Sequence, residues 1–152
     1  MNIIEAKQIA CELMGIYGLE SWTLEFGEAK NLFGVCYHSK QIIRLSRPLV
    51  ELNGSNHVID IILHEIAHAL ADKWDGHNQN WRNIALAIGC NGSRCYGADV
   101  VQPKAKYQTH CPNCKKIGTR NKKTKSLSCG ACCRAFNHGR WTKKYKLRFI
   151  RL

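Results

Sequence analysis

The chain has 152 residues, with 23 Lys and Arg against 11 Asp and Glu for a net charge of +12, nine Cys, seven His and 45% apolar residues. At this length a chain buries roughly 68–70% of the surface its unfolded form exposes, enough for one true core, and for a second small unit only if something other than a core holds it. Disorder throughout is excluded, and so is a membrane span: the longest apolar stretch, Val58 to Ala71, is broken by Asp60, His64, Glu65 and His68, well short of ~18 uninterrupted residues.

Taken in chain order, Ile3, Ala6, Ile9, Ala10, Leu13, Met14 and Tyr17 recur at i, i+3, i+4 spacing and predict an amphipathic helix over 3–17, closed near Gly18. Three β-type runs follow, Trp22 to Phe26, Phe33 to Tyr37 and Gln41 to Leu45, with a hairpin turn at His38-Ser39-Lys40, and predict a small antiparallel sheet. Ser55 or Asn56 is placed to cap a second helix running to about Trp74, and Asn78 a third from about Asn80 to Ile88, ended by Gly89. The expected class is α+β. The N-terminal run contains Glu5 and has neither a basic leader nor a small-residue cleavage site. No secretion signal is expected, and the expected compartment is a reducing cytoplasm, where CxxC pairs are metal ligands rather than disulfides.

Charge is segregated along the chain. Residues 1–100 carry eight bases and all 11 acids, a net −3, whereas residues 101–152 carry 15 bases and no acid. The shift predicts a boundary at Gln102-Pro103-Lys104, giving units 1–102 and 103–152. A block of positive charge without counter-charges repels itself and implies an anionic partner, of which nucleic acid is the commonest. A merely solvated tail is the alternative, and the interleaved Tyr107, Phe136, Trp141, Tyr145 and Phe149 argue against it.

Inside the second helix stands His64-Glu65-Ile66-Ala67-His68. Residues at i and i+4 share a helical face, so two imidazoles can converge on one Zn²⁺ with Glu65 beside them to accept a proton from a metal-held water. The flanking Ile61, Ile62, Leu63, Ile66, Ala67, Ala69 and Leu70 leave these polar groups costly without a ligand. A catalytic zinc takes a third protein ligand and leaves one position open. His77 is the best candidate, since Gly76 permits a sharp reversal, and Asp72 and Asp75 are the other nearby options; no Glu lies within 69–98. His38 and His57 read as satisfied surface or core histidines. Asp60 and Asp72, a helical turn to either side of the pair, are expected either to orient an imidazole or to be solvated. Proton competition for these histidines near their ordinary pKa of ~6.5 predicts activity falling below about pH 6.

Beyond the linker, Cys111-Pro112-Asn113-Cys114 and Cys129-Gly130-Ala131-Cys132 form two CxxC knuckles. Four thiolates fill a tetrahedral zinc and leave no room for water, which predicts a second, structural zinc in a small β unit, with β-type runs at Ser126 to Ser128 and Tyr145 to Ile150. Cys133 is either a free thiol or a substitute for Cys132, with spacing in favour of Cys132, and His110 is a weaker substitute. Cys90 and Cys95 read as two reduced thiols rather than a metal pair, and Cys11 and Cys36 as core. The bases around the knuckles (Lys115, Lys116, Arg120, Lys122, Lys123, Lys125, Arg140, Lys143 and Lys144) are candidate phosphate contacts, and Trp141 or Tyr145 is a candidate stacking platform for an exposed nucleobase. That combination favours single-stranded or disturbed DNA over sequence-specific reading.

The run from Leu32 to Cys90, with HEIAH, then Gly76-His77, then an aromatic at Trp81, after a strand pair ending in Ile42 to Pro48, resembles the SprT-like zinc metalloprotease family, which includes the eukaryotic protease Spartan. The resemblance implies a small zincin fold, three zinc-binding histidines at His64, His68 and His77, a catalytic glutamate at Glu65, and DNA-stimulated cleavage of proteins, notably those crosslinked to DNA. Spartan's further C-terminal recruitment motifs are absent from these residues, so ubiquitin or clamp recruitment is not implied. The expectation is a monomeric zinc endopeptidase acting on DNA-associated proteins in the cytoplasm, on a nucleoid or in a phage-infected cell, with DNA and protein substrates as partners and no membrane. The alternative is a nucleic-acid-binding zinc-ribbon protein whose zincin half is a non-catalytic scaffold; retention of Glu65 separates the two, because a structural site needs the histidines but not the base.

Overall fold

In the computed structural model, which describes residues 1–152, helix α1 (Ile3–Ile16) opens at Asn2, whose side-chain oxygen accepts from the Glu5 amide at 2.8 Å. Ala6, Ala10 and Met14 are its buried line. It closes on Gly18, in the left-handed region at φ +70°, where the Leu19 amide reaches back to the Met14 carbonyl at 2.8 Å. Three short strands follow, β1 (Thr23–Gly27), β2 (Gly34–Tyr37) and β3 (Ile42–Ser46), the last two joined by a 3-10 turn at His38–Lys40.

The sheet is mixed, not antiparallel. Its order is β1-β3-β2: β2 pairs antiparallel with β3 through the tight turn, while β1 runs parallel to β3. Strand spacing along the chain suggests a meander, but residues 28–33 cross over β3 and deliver β2 to the far edge. Glu25 is thereby placed opposite Arg44, and the two carry a 2.6 Å ion pair across the parallel register. The pair is part-exposed and marks register more than it stabilises.

Pro48 near its start and the Ser46 hydroxyl on the Leu49 amide at 3.2 Å make residues after β3 a short helix, α2 (Arg47–Leu52), absent from the sequence reading. Helix α3 (Ser55–Leu70) carries HEIAH and buries Val58, Ile61, Ile62, Leu63, Ile66 and Ala67. It stops four residues short of the expected Trp74, whose side chain is 85% exposed: no core lies there to reward continuing. Asn78 caps α4 (Gln79–Ala87) by accepting from the Trp81 amide at 3.0 Å. The core joins α1, α2, α3 and the sheet, and a second cluster around Trp81 and Ala85 joins α4 to α3. Buried Asn53 ties down the chain near Val101, donating to its carbonyl at 3.0 Å and accepting from its amide at 2.8 Å.

The chain divides into two compact units, Met1–Pro103 and Lys104–Leu152. The second holds a three-stranded antiparallel sheet, β5-β4-β6, made from β4 (Tyr107–His110), β5 (Ile117–Arg120) and β6 (Arg148–Arg151). Of the expected run at Ser126 to Ser128 only one bridge forms, Ser128 to Lys146. A helix not expected there, α5 (Gly130–Phe136), begins at the second knuckle. The reason is local, because cysteines three apart share a face of a helical turn. Cys111, Cys129, Cys132, Cys133 and Tyr145 are this unit's buried cluster. No helix of the chain is long and apolar enough to cross a membrane.

Candidate metal centre and cleft

Helix α3 puts His64 and His68 one turn apart on one face, with Nε2 atoms 3.2 Å from each other. His77 arrives from the loop between α3 and α4, its Nε2 3.1 Å from both. The loop reverses through Gly76 at φ +55° and is built around Asp75, whose carboxylate accepts from the Asp72 amide at 3.1 Å, Asn78 Nδ2 at 2.8 Å and Asn80 Nδ2 at 2.6 Å. Asp75, an alternative ligand on sequence grounds, is thus the organiser of the loop. Asp72 and Asp60 bind no imidazole; Asp60 accepts from the Asn91 amide at 2.8 Å and Asn91 Nδ2 at 2.6 Å.

The donor set fits a tetrahedral ion. Each ring nitrogen directs one lone pair or one proton in its plane, so three nitrogens at mutual distances of 3.1–3.2 Å cannot satisfy one another by hydrogen bonds. A cation at the centre of the triangle does satisfy them, and zinc–nitrogen bonds of ~2.0–2.1 Å set tetrahedral nitrogens roughly 3.3 Å apart. Trp81, 1% exposed, backs all three rings with centroids 4.8, 5.1 and 4.5 Å from His64, His68 and His77. Burial, and then neighbouring histidines, hold His64 down to about 4 and His68 to about 3; His77 is lowered by burial and then by the charge of Arg94. The folded site therefore keeps neutral, ligand-ready imidazoles well below pH 6.5, and the acid window expected from ordinary histidines moves down.

Glu65 lies on the same helix, 4% exposed, and burial pushes its carboxyl up to about 8. A carboxyl so placed exchanges a proton near neutral pH, as a general base should. What makes room for it is Gly34 of β2: a Cβ at that position would stand 2.6 Å from Glu65 Cγ and Oε1. The sequence carried a signal for this, since a glycine inside a strand pattern marks close approach, but it does not name the partner. His38 also serves the site, its Nε2 2.5 Å from the His68 carbonyl oxygen, while His57 contacts Asp99 at 3.2 Å. The three convergent histidines, Glu65 and His38, but not His57, open on a cleft of about 580 Å³ that is further lined by β2, Lys73, Arg94, Cys95 and Tyr96. Cys36 is half-buried in that cleft and raised to about 12 by burial and then by Glu65, whereas Cys11 is exposed rather than core.

In the second unit, Cys111, Cys114, Cys129 and Cys132 bring their sulfurs within 4.8 Å of one another. Cys111 to Cys132 and Cys114 to Cys129 are each 3.7 Å, against roughly 3.8 Å for tetrahedral sulfurs at a zinc–sulfur distance of ~2.3 Å. Cys133 stays outside the group, 3.1 Å from Ser128 Oγ, and His110 faces Gln108 at 2.8 Å. Cys90 is buried and Cys95 exposed, and neither joins a metal group. The candidate bases Lys115, Lys116, Arg120, Lys122, Lys123, Lys125, Arg140, Lys143 and Lys144 are all exposed, as is Trp141 at 52%. Tyr145, at 4%, belongs to the core and is not available for stacking.

Two outcomes follow from this geometry. Gly34→Ala should displace the Glu65 carboxylate without touching a metal-binding atom; metal content by atomic absorption should stay at the wild-type value while casein hydrolysis drops about 10²-fold. In zinc-loaded protein, the histidine-held ion should be retained equally at pH 7.5 and 5.5 and released only as the pH approaches 4, read as zinc passing to a chromogenic chelator. The metal-free fold loses stability as pH falls from about 6.5 toward 4, because the unfolded chain takes up these protons first.

The chain is 25% identical over 100 residues to Protein SprT of Proteus mirabilis (strain HI4320), an alignment covering 62% of this chain and 60% of that protein. The chain therefore spans about 60% of that relative's length. The crystal structure of the metallopeptidase zymogen of Methanocaldococcus jannaschii jannalysin superposes with a TM-score of 0.49 at 23% identity, covering 57% of this chain and 83% of that one. The SprT-like family model matches residues 11–123, about three quarters of the sequence, and the chain belongs to the SprT-like family.

Proposed function

We propose that the chain is a zinc-dependent endopeptidase acting on DNA-associated proteins. The observation that carries the peptidase reading is the buried Glu65 carboxyl, given room by Gly34, beside three convergent imidazole nitrogens, in a cleft open to solvent. A structural metal needs the histidines and gains nothing from burying an acid next to them, which disfavours the scaffold reading. His64, His68 and His77 hold the catalytic zinc, and Cys111, Cys114, Cys129 and Cys132 a structural one. A zinc at the first site supplies Lewis acidity and lowers the pKa of water to ~7. Glu65 takes the proton of the attacking water and returns it to the departing amine. β2, at the sheet edge and lining the cleft, offers unpaired backbone to an extended substrate, so a site in the middle of a chain can be engaged.

The DNA part of the reading draws on the second unit. Its 15 bases meet no acid, and the exposed Trp141 stands among them beside Arg140, Lys143 and Lys144. Such a surface suits phosphates and unpaired bases and carries no base-reading device, so single-stranded or disturbed DNA is the expected form. The unit holds DNA while proteins bound to that DNA meet the cleft, as crosslink removal in a cytoplasm or on a nucleoid requires.

Glu65→Gln should retain both zinc ions and the wild-type melting profile yet lose casein cleavage by at least about 10³-fold; undiminished proteolysis would take Glu65 out of the mechanism. Fluorescence anisotropy with a labelled single-stranded oligonucleotide tests the other half. If six of the 15 bases neutralise phosphates, affinity falls by roughly 10³ between 50 and 200 mM salt, with little sequence preference. Affinity indifferent to salt would reduce the basic unit to a metal-held appendage.

A further inference from the structure

Peptide hydrolysis as proposed leaves one developing charge without a partner from the chain. Water adds to the scissile carbonyl carbon, its proton passes to Glu65, and the carbon–oxygen π pair moves onto oxygen. The carbon–nitrogen bond then breaks as that pair re-forms the carbonyl, and the amine takes the proton from Glu65. A positioned donor facing the transient oxyanion is typically the largest single contribution a side chain makes to such a reaction, roughly 10²–10³ in kcat.

The cleft supplies few candidates. Glu65 and Asp72 are acids, Asn31 is neutral, and the Cys36 and Cys95 thiols are weak donors. His38 is engaged by the His68 carbonyl. The Tyr96 hydroxyl donates to the Asn31 carbonyl at 3.3 Å, and the Lys73 ammonium lies over the Trp74 ring at 4.8 Å. Of the two charged bases on this cleft, Lys73 is engaged by a ring and Arg94 has no hydrogen bond, ion pair or ring contact.

Its position is also fixed from both sides. Three residues before it, Asn91 is clamped to Asp60 of α3, one turn ahead of His64, through its amide and its side chain. Two residues after it, Tyr96 packs edge-on against Phe33, at 5.9 Å, next to the start of β2. The segment from 91 to 96 thus spans between α3 and the β2 side of the cleft with both ends pinned, and Arg94 sits in the span. Its charge reaches His77, the most open of the three ligands.

We propose that Arg94 is the oxyanion-binding residue of this cleft, a guanidinium held in reserve for the charge that forms on the scissile carbonyl oxygen. The inference rests on the peptidase reading. An arginine suits the task because its planar fork can present two N–H groups to one anionic centre, which a lysine cannot reproduce.

The test uses the full zinc-loaded chain as wild type, Arg94→Met and Arg94→Lys. With casein as substrate, Arg94→Met should lower kcat about 10²-fold or more with KM within twofold, and zinc content and melting temperature should match wild type, since the side chain is exposed. Arg94→Lys should fall between. Calorimetry with a phosphinic tetrapeptide, Phe and Leu flanking the phosphinate, should show at least a tenfold weaker complex for Arg94→Met, while the matching hydroxamate binds both proteins equally. A kcat within threefold of wild type, a loss confined to KM, or equal phosphinic-peptide affinity overturns the proposal; a KM-only loss would mark Arg94 as a contact for a substrate carboxylate instead. Failure of the peptidase reading looks different: wild type and Glu65→Gln would then cleave alike, and the phosphinic-peptide comparison, which needs no turnover, still decides Arg94.

Discussion

Three neutral imidazole nitrogens must meet at one point, two from a helix and one from a loop nine residues beyond the second, and the first unit is organised around that convergence. The helix solves half of it through its own periodicity. The other half needs the chain to stop being helical at once, which is why α3 ends at Leu70 and why Asp75 gathers three N–H groups into a rigid reversal around Gly76. Trp81, the first buried residue of α4, then closes the back of the site. A metal that binds a triangle already held in place loses little in ordering its ligands, and the buried, uncharged state of the rings means it displaces few protons.

Glu65 is a second consequence of the same helix. It lies next to His64 in sequence yet on the side of α3 that faces the sheet, so it is buried against β2 rather than presented to water. An acid in that position is tolerated only if nothing crowds it, and a bare glycine backbone at Gly34 provides the space. The crossover that turns the sheet from a meander into a mixed β1-β3-β2 arrangement has the same end, because it puts the glycine-bearing strand at the sheet's edge along the cleft. The less regular sheet serves the site.

The second unit reaches order by another route. Forty-nine residues, Lys104 to Leu152, with little apolar bulk cannot cover the entropy of folding by burial. Its buried cluster consists of cysteines with a single tyrosine, so three of the four cysteines that would grip a metal, Cys111, Cys129 and Cys132, are also core. Surface freed from the duty of covering a core can be given over to charge, and all 15 of the unit's ionised side chains are basic.

What the sequence determined by itself is whatever depends on spacing along the chain. HEIAH fixes two ligands and a base because i and i+4 share a helical face. The CxxC pairs fix four thiolates because two residues between cysteines suit a metal knuckle, and the charge boundary near Pro103 needs only counting. Contacts between residues far apart in sequence were decided by tertiary structure. No pattern announces that Gly34 makes room for Glu65, that Asp75 holds the loop rather than the metal, that Tyr145 turns inward while Trp141 stays out, or that β1 runs parallel to β3. Cys11 shows the same limit from the other side, since an apolar-looking helical position stayed exposed once α1 chose Ala6, Ala10 and Met14 as its buried line. Periodicity assigns a residue to a face of its own element, but the partner of that face is set by how the elements pack, where a glycine's missing Cβ or a carboxylate's three N–H donors weigh more than any local propensity.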